Sequence, residues 1–301
     1  MSNLCFFLSE VINYLQKENI EVRPLVHGDL KLIGFSSIFN SKDKTISWFK
    51  GTEIDISGLK CSVLVCGNST KIDGTGPLIL EVSDPRLAFT MLLDKFAKTY
   101  KKTGIEHTAC ISETAKLGEN IYIGHNVYIG ANCVVGDYCV IHANVVLYEN
   151  VRISDHCVIH AGAIIGKEGF GFERTSDSTY LRLVHIGGVL LEGGVEVGAN
   201  TCIDRGTLDD TIIGAGVKIN NNCHIAHNVV IGRNTIITAG CLITGSTVIG
   251  ENCWLAPGSI IRNGIRMGDN VTVGMGAVVT KDIPNNTTVV GIPARPLEKE
   301  E

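Results

Sequence analysis

From Ile105 onward, aliphatic residues recur at every sixth position. The series runs Ile105, Ile111, Leu117, Ile123, Ile129, Val135, Ile141, Leu147, Ile153, Ile159 and Ile165. It resumes at Leu191, Val197 and Ile203, then continues unbroken from Ile213 through Ile219, Ile225, Ile231 and onward to Val279. A period of six matches neither an amphipathic helix nor an ordinary alternating strand. It suits a chain that makes one short strand and one turn per six residues and closes a triangular coil after three such steps, with the aliphatic side chain inside. Coils of this kind stack at strand spacing, ~4.8 Å per layer. The 34 glycines and the low aromatic content of 6% agree with tightly wound β structure rather than an ordinary α/β enzyme.

The periodicity divides the chain. Residues 105–290 are expected to form a parallel β-helix, interrupted by a loop excursion at 167–185 (KEGFGFERTSDSTYLRLVH), and residues 291–301 a C-terminal cap. Residues 1–104 lack the period and read as a small α/β domain that could bind a nucleotide sugar. A helix is predicted from Pro85 to Lys102, with Ser83 or Asp84 as N-cap and Pro85 in its first turn. The N-terminal stretch MSNLCFFLSEVINYLQKEN has no basic residues ahead of its apolar run and reads as an amphipathic helix, not a secretory signal. No apolar run approaches ~20 residues, so no membrane span is expected and the default location is the cytoplasm. The net charge of −5 and the absence of a basic block argue against nucleic acid as a partner.

Eleven cysteines raise the question of a disulfide scaffold or a metal site, but none forms a C-x-x-C pair. Cys133, Cys139, Cys157, Cys223, Cys241 and Cys253 each lie four residues after an inward aliphatic. They read as small buried fillers, and no metal is expected.

Three six-residue steps place residues eighteen apart over one another, which sets His227 beneath Gly245 at a corner. An imidazole and a backbone N–H facing one spot suit acyl transfer, with His227 as general base and Gly245 N–H as oxyanion donor. Asp209 lies eighteen residues before His227 and is a candidate to orient the ring. The frame there is irregular, so Asp210 could take that place, or the pair could simply form a turn. His224 and Asn222 lie in the same step and are candidates for acceptor binding. His125, His142, His156 and His160 occupy comparable corners and read as surface or inter-subunit residues.

The stretch VEVGANTCIDRGTLDDTIIGAGVKINNNCHIAHNVVIG, together with GKEGFGF and SDPRLAF, resembles the UDP-3-O-acylglucosamine N-acyltransferase family of the lipid A pathway. The resemblance spans almost the whole chain. It implies a left-handed coil, against the usual right-handed crossover preference. It also implies a homotrimer with active sites between subunits, a 3-hydroxyacyl thioester donor, a nucleotide-amino-sugar acceptor and no permanently bound cofactor. It maps the catalytic base onto His227 and the oxyanion glycine onto Gly245.

The sequence departs from that family in three places. The family's additional His in its NGH segment is absent from RNGIRMGDN, with Gly264 in that place. In TISWFKGTEI only Trp48 remains of the nucleobase-stacking set, with Gly51 and Ile54 at the other positions. The ending VVGIPARPLEKEE resembles hexapeptide acetyltransferases that use coenzyme A, and Arg295 there could pair with the 3′-phosphate. Trp48 reads equally as a base-stacking platform or a packed Trp of the small domain. Phe170 and Phe172 read as the wall of an acyl or pantetheine channel, or as pins holding the loop. The reading favoured by these departures is an N-acyltransferase of surface polysaccharide synthesis, moving an acyl group from acyl-CoA to a dTDP- or UDP-linked amino sugar. The alternatives are the lipid A enzyme with an acyl carrier protein donor, and a β-helical scaffold without activity.

Overall fold

The six-residue steps build three flat parallel sheets joined by tight corners. The protein is described by a computed structural model that covers residues 4–24, 29–97 and 103–297. The chain divides into two compact units, Met1–Lys101 and Lys102–Glu301. In the second unit, the first face begins with Gly104–Ile105, Tyr122–Ile123 and Val140–Ile141. The second face begins with Cys110–Ile111 and Tyr128–Ile129, the third with Lys116–Leu117 and Val134–Val135. These faces hold 11, 9 and 8 strands. The register sets inward aliphatics directly over one another, as in Ile123 on Ile141, Ile129 on Leu147 and Ile231 on Ile249. The result is one continuous apolar column from Ile121 to Val289.

The corners explain much of the remaining sequence. In most coils the third residue after the inward aliphatic takes a left-handed conformation, as at Asn126 (φ 57°), Asn132 (φ 58°), Asn234 (φ 56°) and Gly240 (φ 71°). Asn and Gly are the residues that tolerate this region. The glycine directly after an aliphatic answers a different demand. A Cβ on Gly232 would lie 2.5 Å from the Gly250 carbonyl carbon one coil on, so at this position only glycine fits.

The cysteine slot is more than filler. Cys133, Cys139, Cys157, Cys223, Cys241 and Cys253 are all buried. Each thiol reaches a turn carbonyl of the next coil: Cys133 Sγ to Tyr148 O at 2.9 Å, Cys223 Sγ to Thr238 O at 3.1 Å and Cys253 Sγ to Gly268 O at 3.2 Å. Thr235 uses the same slot, its Oγ1 donating to Gly250 O at 3.0 Å. Where the slot holds Cys or Thr rather than the Val or Ala found in other coils, such as Val145 and Ala163, the side chain adds a hydrogen bond between coils. Burial raises the thiol pKa of Cys133 and Cys253. We expect Cys223→Ala and Cys241→Ala each to cost ~1–2 kcal/mol in urea denaturation, the lost volume plus a weak donor. Thiol labelling of the native protein should favour the exposed Cys5 and Cys110 over these buried groups. Rapid labelling of Cys223 would contradict the assignment.

The first unit is a small α/β body, as its sequence suggests. Helix Leu8–Lys17 buries Leu8, Val11 and Leu15. The five-stranded sheet runs in the order Arg23–Pro24, Leu78–Val82, Val63–Gly67, Thr45–Trp48, Gly34–Phe35. Helix Pro85–Phe96 is capped by Asp84, whose Oδ1 accepts from the N–H groups of Arg86 and Leu87, both at 3.0 Å. The helix closes at Phe96 rather than Lys102, and residues 98–102 lie outside the described residues.

At the far end, Thr288–Val290 extends the first face and Arg295–Pro296 returns antiparallel along it, covering part of the open edge. The excursion after Lys167 is not a plain loop. Phe172–Arg174 and Tyr180–Arg182 pair as an antiparallel hairpin, closed by a turn at Thr175–Thr179. Among the described residues, no helix is long and apolar enough to cross a membrane.

Candidate active site

Three irregular features share one corner of the β-helix. His227 follows His224–Ile225 of the second face and precedes Val230–Ile231 of the third. The excursion leaves at the same corner, between Ile164–Lys167 and Val189–Leu191. Between them, the corner carrying Arg205 to Asp210 is widened. Ile203 pairs with Ile225, 22 residues on, whereas Ile213 pairs with Ile231, 18 residues on, so four extra residues are extruded. Arg205 fastens this bulge from inside, its Nε donating to Gly166 O at 2.6 Å and its Nη1 lying 2.8 Å from Glu149 Oε1.

The bulge determines what holds His227. Thr207 donates both its N–H (3.1 Å) and its Oγ1 (2.8 Å) to Asn228 Oδ1. A backbone N–H only donates, so the amide oxygen is identified without ambiguity. The same oxygen lies 2.9 Å from His227 Nδ1, which must therefore carry its proton. Nε2 is left with a free lone pair, the state a general base needs. Asn228 also sits at the left-handed corner position (φ 60°), so one residue satisfies the turn and fixes the tautomer. We expect 15N spectra of the wild type to show the Nδ1–H tautomer of His227. Asn228→Ala should shift the ring towards Nε2–H, and an unchanged tautomer in that variant would contradict this geometry.

The free edge of the ring faces Gly245. A Cβ there would lie 2.7 Å from both Cε1 and Nε2 of His227. Among the described residues the Gly245 N–H has no hydrogen-bond acceptor, while its carbonyl accepts from Gly264 N at 3.0 Å. The adjoining Cβ–Cδ2 side of the ring meets the excursion: a Cβ on Gly169 would lie 3.0 Å from His227 Cδ2 and 2.7 Å from His185 Nε2. The His185 ring stands 5.0 Å from the His227 ring at 66°.

A buried carboxylate completes the cluster. Asp204 is 3% exposed, with His224 Nε2 at 3.7 Å and Lys167 Nζ at 4.0 Å. Burial pushes its pKa up, and the neighbouring His224, Lys167, His227 and His185 oppose that rise. Burial also lowers the pKa of His185, keeping that ring neutral.

Of the residues singled out from sequence, His227, Gly245 and His224 fall at or beside this corner. Asp209 does not orient the ring: it lies exposed in the extruded bulge, and Asn228 holds Nδ1 instead. The eighteen-residue rule fails there because the coil is four residues longer. Asp210 accepts from Gly188 N at 2.9 Å and forms an ion pair with Arg152. Asn222 is a left-handed corner residue between the first and second faces, exposed and apart from His227. Phe170 and Phe172 meet edge to face at 5.0 Å on the excursion and, with Tyr180, line a cavity of about 580 Å³. Trp48, in the other unit, stacks on Phe89 at 6.0 Å. Arg295 is exposed beside a cavity of about 210 Å³ that Lys281 also lines. A groove of about 700 Å³ lies elsewhere, along the first face between His142, His160, Glu196, Lys218 and Trp254. Sequence reasoning missed Asn228, Thr207, Asp204, Lys167 and His185. The last two mark the ends of the excursion, which was the available signal.

Comparisons with known proteins follow the same lines. The family model for the bacterial transferase hexapeptide (six repeats) matches residues 210–245 and 246–281, and that for the GMPPB C-terminal domain matches 105–170. The UDP-3-O-acylglucosamine N-acyltransferase of Pseudomonas fluorescens (strain SBW25) is 48% identical over 85 residues, 28% of this chain and 24% of that protein. Its counterpart in Coxiella burnetii (strain Dugway 5J108-111) is 44% identical over 89 residues, 30% of this chain and 26% of that protein. The match therefore spans about a quarter of the length of these relatives. Among solved structures, the UDP-N-acetylglucosamine acyltransferase of Bacteroides fragilis 9343 superposes with a TM-score of 0.59 at 26% identity, covering 64% of this chain and 74% of that one. The UDP-N-acetylglucosamine O-acyltransferase of Moraxella catarrhalis RH4 shares the fold, with a TM-score of 0.59 at 24% identity over 64% of this chain and 73% of that one. The chain carries the hexapeptide-repeat, left-handed parallel β-helix of the acyltransferases and is similar, over part of its length, to the UDP-3-O-acylglucosamine N-acyltransferases.

Proposed function

We propose that this protein is a sugar N-acyltransferase of the lipid A type, moving a 3-hydroxyacyl group from a thioester to the amine of a UDP-3-O-acylglucosamine. The observation that carries the reading is His227, with Nε2 freed by Asn228 and set against Gly245. In the reaction the amine nitrogen attacks the thioester carbonyl and a C–N bond forms. The amine proton passes to His227 Nε2, and the carbonyl electron pair moves onto oxygen, where the Gly245 N–H donates to it. The intermediate collapses, the C–S bond breaks, and the imidazolium returns its proton to the leaving thiolate. No permanently bound cofactor takes part. The identity to N-acyltransferases of UDP-3-O-acylglucosamine supports this acceptor over the wider class of dTDP- or UDP-linked amino sugars.

The working unit in this reading is a homotrimer. The excursion carries Phe170, Tyr180, Leu181, Val184 and Ile186, each more than half exposed, an apolar surface that a neighbouring subunit would cover. Trp48 is the proposed nucleobase contact of the N-terminal unit, and His224 beside Asp204 a contact for the acceptor. A second reading keeps the chemistry but takes acyl-CoA as donor. It is favoured by Arg295 and Lys281 beside one cavity, a pair of cations suited to a phosphate.

Steady-state kinetics with 3-hydroxyacyl groups on acyl carrier protein and on coenzyme A separate the two. The lipid A reading predicts a kcat/KM at least about tenfold higher with the carrier protein, and no effect of Arg295→Ala on that donor. Preference for acyl-CoA, with a KM for it raised by Arg295→Ala, would support the second reading instead.

A further inference from the structure

His185 is a buried polar group whose chemistry the transfer reaction does not use. It is 2% exposed, and its Nδ1 lies 2.8 Å from Leu183 O. A carbonyl only accepts, so Nδ1 carries the proton and Nε2 is a lone-pair acceptor. That Nε2 has no hydrogen-bond partner among the described residues. A buried acceptor left unmatched is costly and is normally satisfied by something. The side chains whose charge acts on this ring are Glu168 and Asp204, both acceptors, and His227.

The surroundings say what is missing. The point where a Cβ of Gly169 would stand is 2.7 Å from His185 Nε2 and 3.0 Å from His227 Cδ2. A donor oxygen or nitrogen near that point would bond His185 and touch the catalytic imidazole at once. Gly169 covers it with backbone alone, and a Cβ on Gly171 would press on His185 Cε1 at 3.0 Å. Both residues are glycine where a side chain would press on the His185 ring. His227 presents Nε2 and Cε1 towards Gly245 and Cδ2, the ring atom bonded to Nε2, towards Gly169, so the reacting amine and the group bound by His185 occupy neighbouring positions around one ring.

We propose that His185 Nε2 is a specificity subsite that accepts a hydrogen bond from a hydroxyl of the acceptor sugar, reached when the Glu168–Gly171 segment of the excursion withdraws from the imidazole. The proposal rests on the acceptor being an amino sugar, as above. A hydroxyl bound there holds the sugar ring beside Cδ2 of His227, which sets the amine at the adjacent Nε2. The unmatched acceptor weakens the closed position of Gly169, and the sugar hydroxyl restores the lost bond.

The test is binding without turnover. Protein labelled with 15N-histidine is titrated with UDP-glucosamine in the absence of any acyl donor. The His185 Nε2 resonance should move on addition of the sugar nucleotide while Nδ1 stays in place. The dissociation constant should rise about tenfold in His185→Leu, ~1.4 kcal/mol, and much less in His185→Gln, whose carboxamide oxygen can still accept. If the sugar nucleotide binds and perturbs His227 while His185 Nε2 stays fixed, or binds His185→Leu as tightly as wild type, the subsite is wrong and the acyltransferase reading stands. If it does not bind and no donor supports turnover, both fall.

Discussion

Alanine at His227 should lower kcat by ~10²–10⁴-fold, the usual worth of a positioned general base. The KM for either substrate should change little, because the proton transfer belongs to the transition state and the binding surfaces lie elsewhere. His227→Asn should be no better, since an amide does not take up the proton. The β-helix should survive, because the ring stands at a corner outside the aliphatic column. His224→Ala, on the strand that leads into the His227 corner, is the control. It removes the imidazole 3.7 Å from the buried Asp204 and should weaken acceptor binding more than turnover. Near-normal turnover in His227→Ala with a dead His224→Ala would reverse the assignment.

The second large effect is expected at Gly245. Its φ is not in the left-handed region, so alanine there meets no backbone strain. The added methyl would instead stand 2.7 Å from Nε2 and Cε1 of His227. The ring must turn or shift, and a displacement of the order of 1 Å at a reacting group costs ~10²-fold in rate. We therefore expect Gly245→Ala to lose about that factor in kcat at nearly unchanged stability, with the His227 15N resonances displaced. Full activity in this variant would mean that the site does not use the space above the imidazole.

The fold was legible because its signal repeats. A six-residue period sustained from Ile105 to Val279 admits few structures, and each step restates the last. The slot of Cys133 and Cys223 could be placed from spacing, but not its hydrogen bonds, since Thr238 O and Tyr148 O belong to the following coil. The site was legible only where the period holds. His227 and Gly245 are related by an unbroken coil. Asp209 was placed by the same count across a coil with four extra residues, which carried it out into the bulge. Asn228 escaped notice because counting coils looks along the helix axis, whereas the ring is held by its own neighbour and by Thr207 from the bulge. His185 arrives through a hairpin that has no period at all.

The most direct measurement of the central claim is the product itself. The purified protein is incubated with a 3-hydroxyacyl thioester and UDP-3-O-acylglucosamine, and the sugar nucleotide is weighed by mass spectrometry before and after mild alkali, in wild type and in His227→Ala. The expected product is heavier by one acyl group, its new linkage resists alkali, as an amide does and an ester does not, and it forms at least ~10²-fold more slowly in the variant. No acyl product, an alkali-labile one, or equal rates in the two proteins would contradict it.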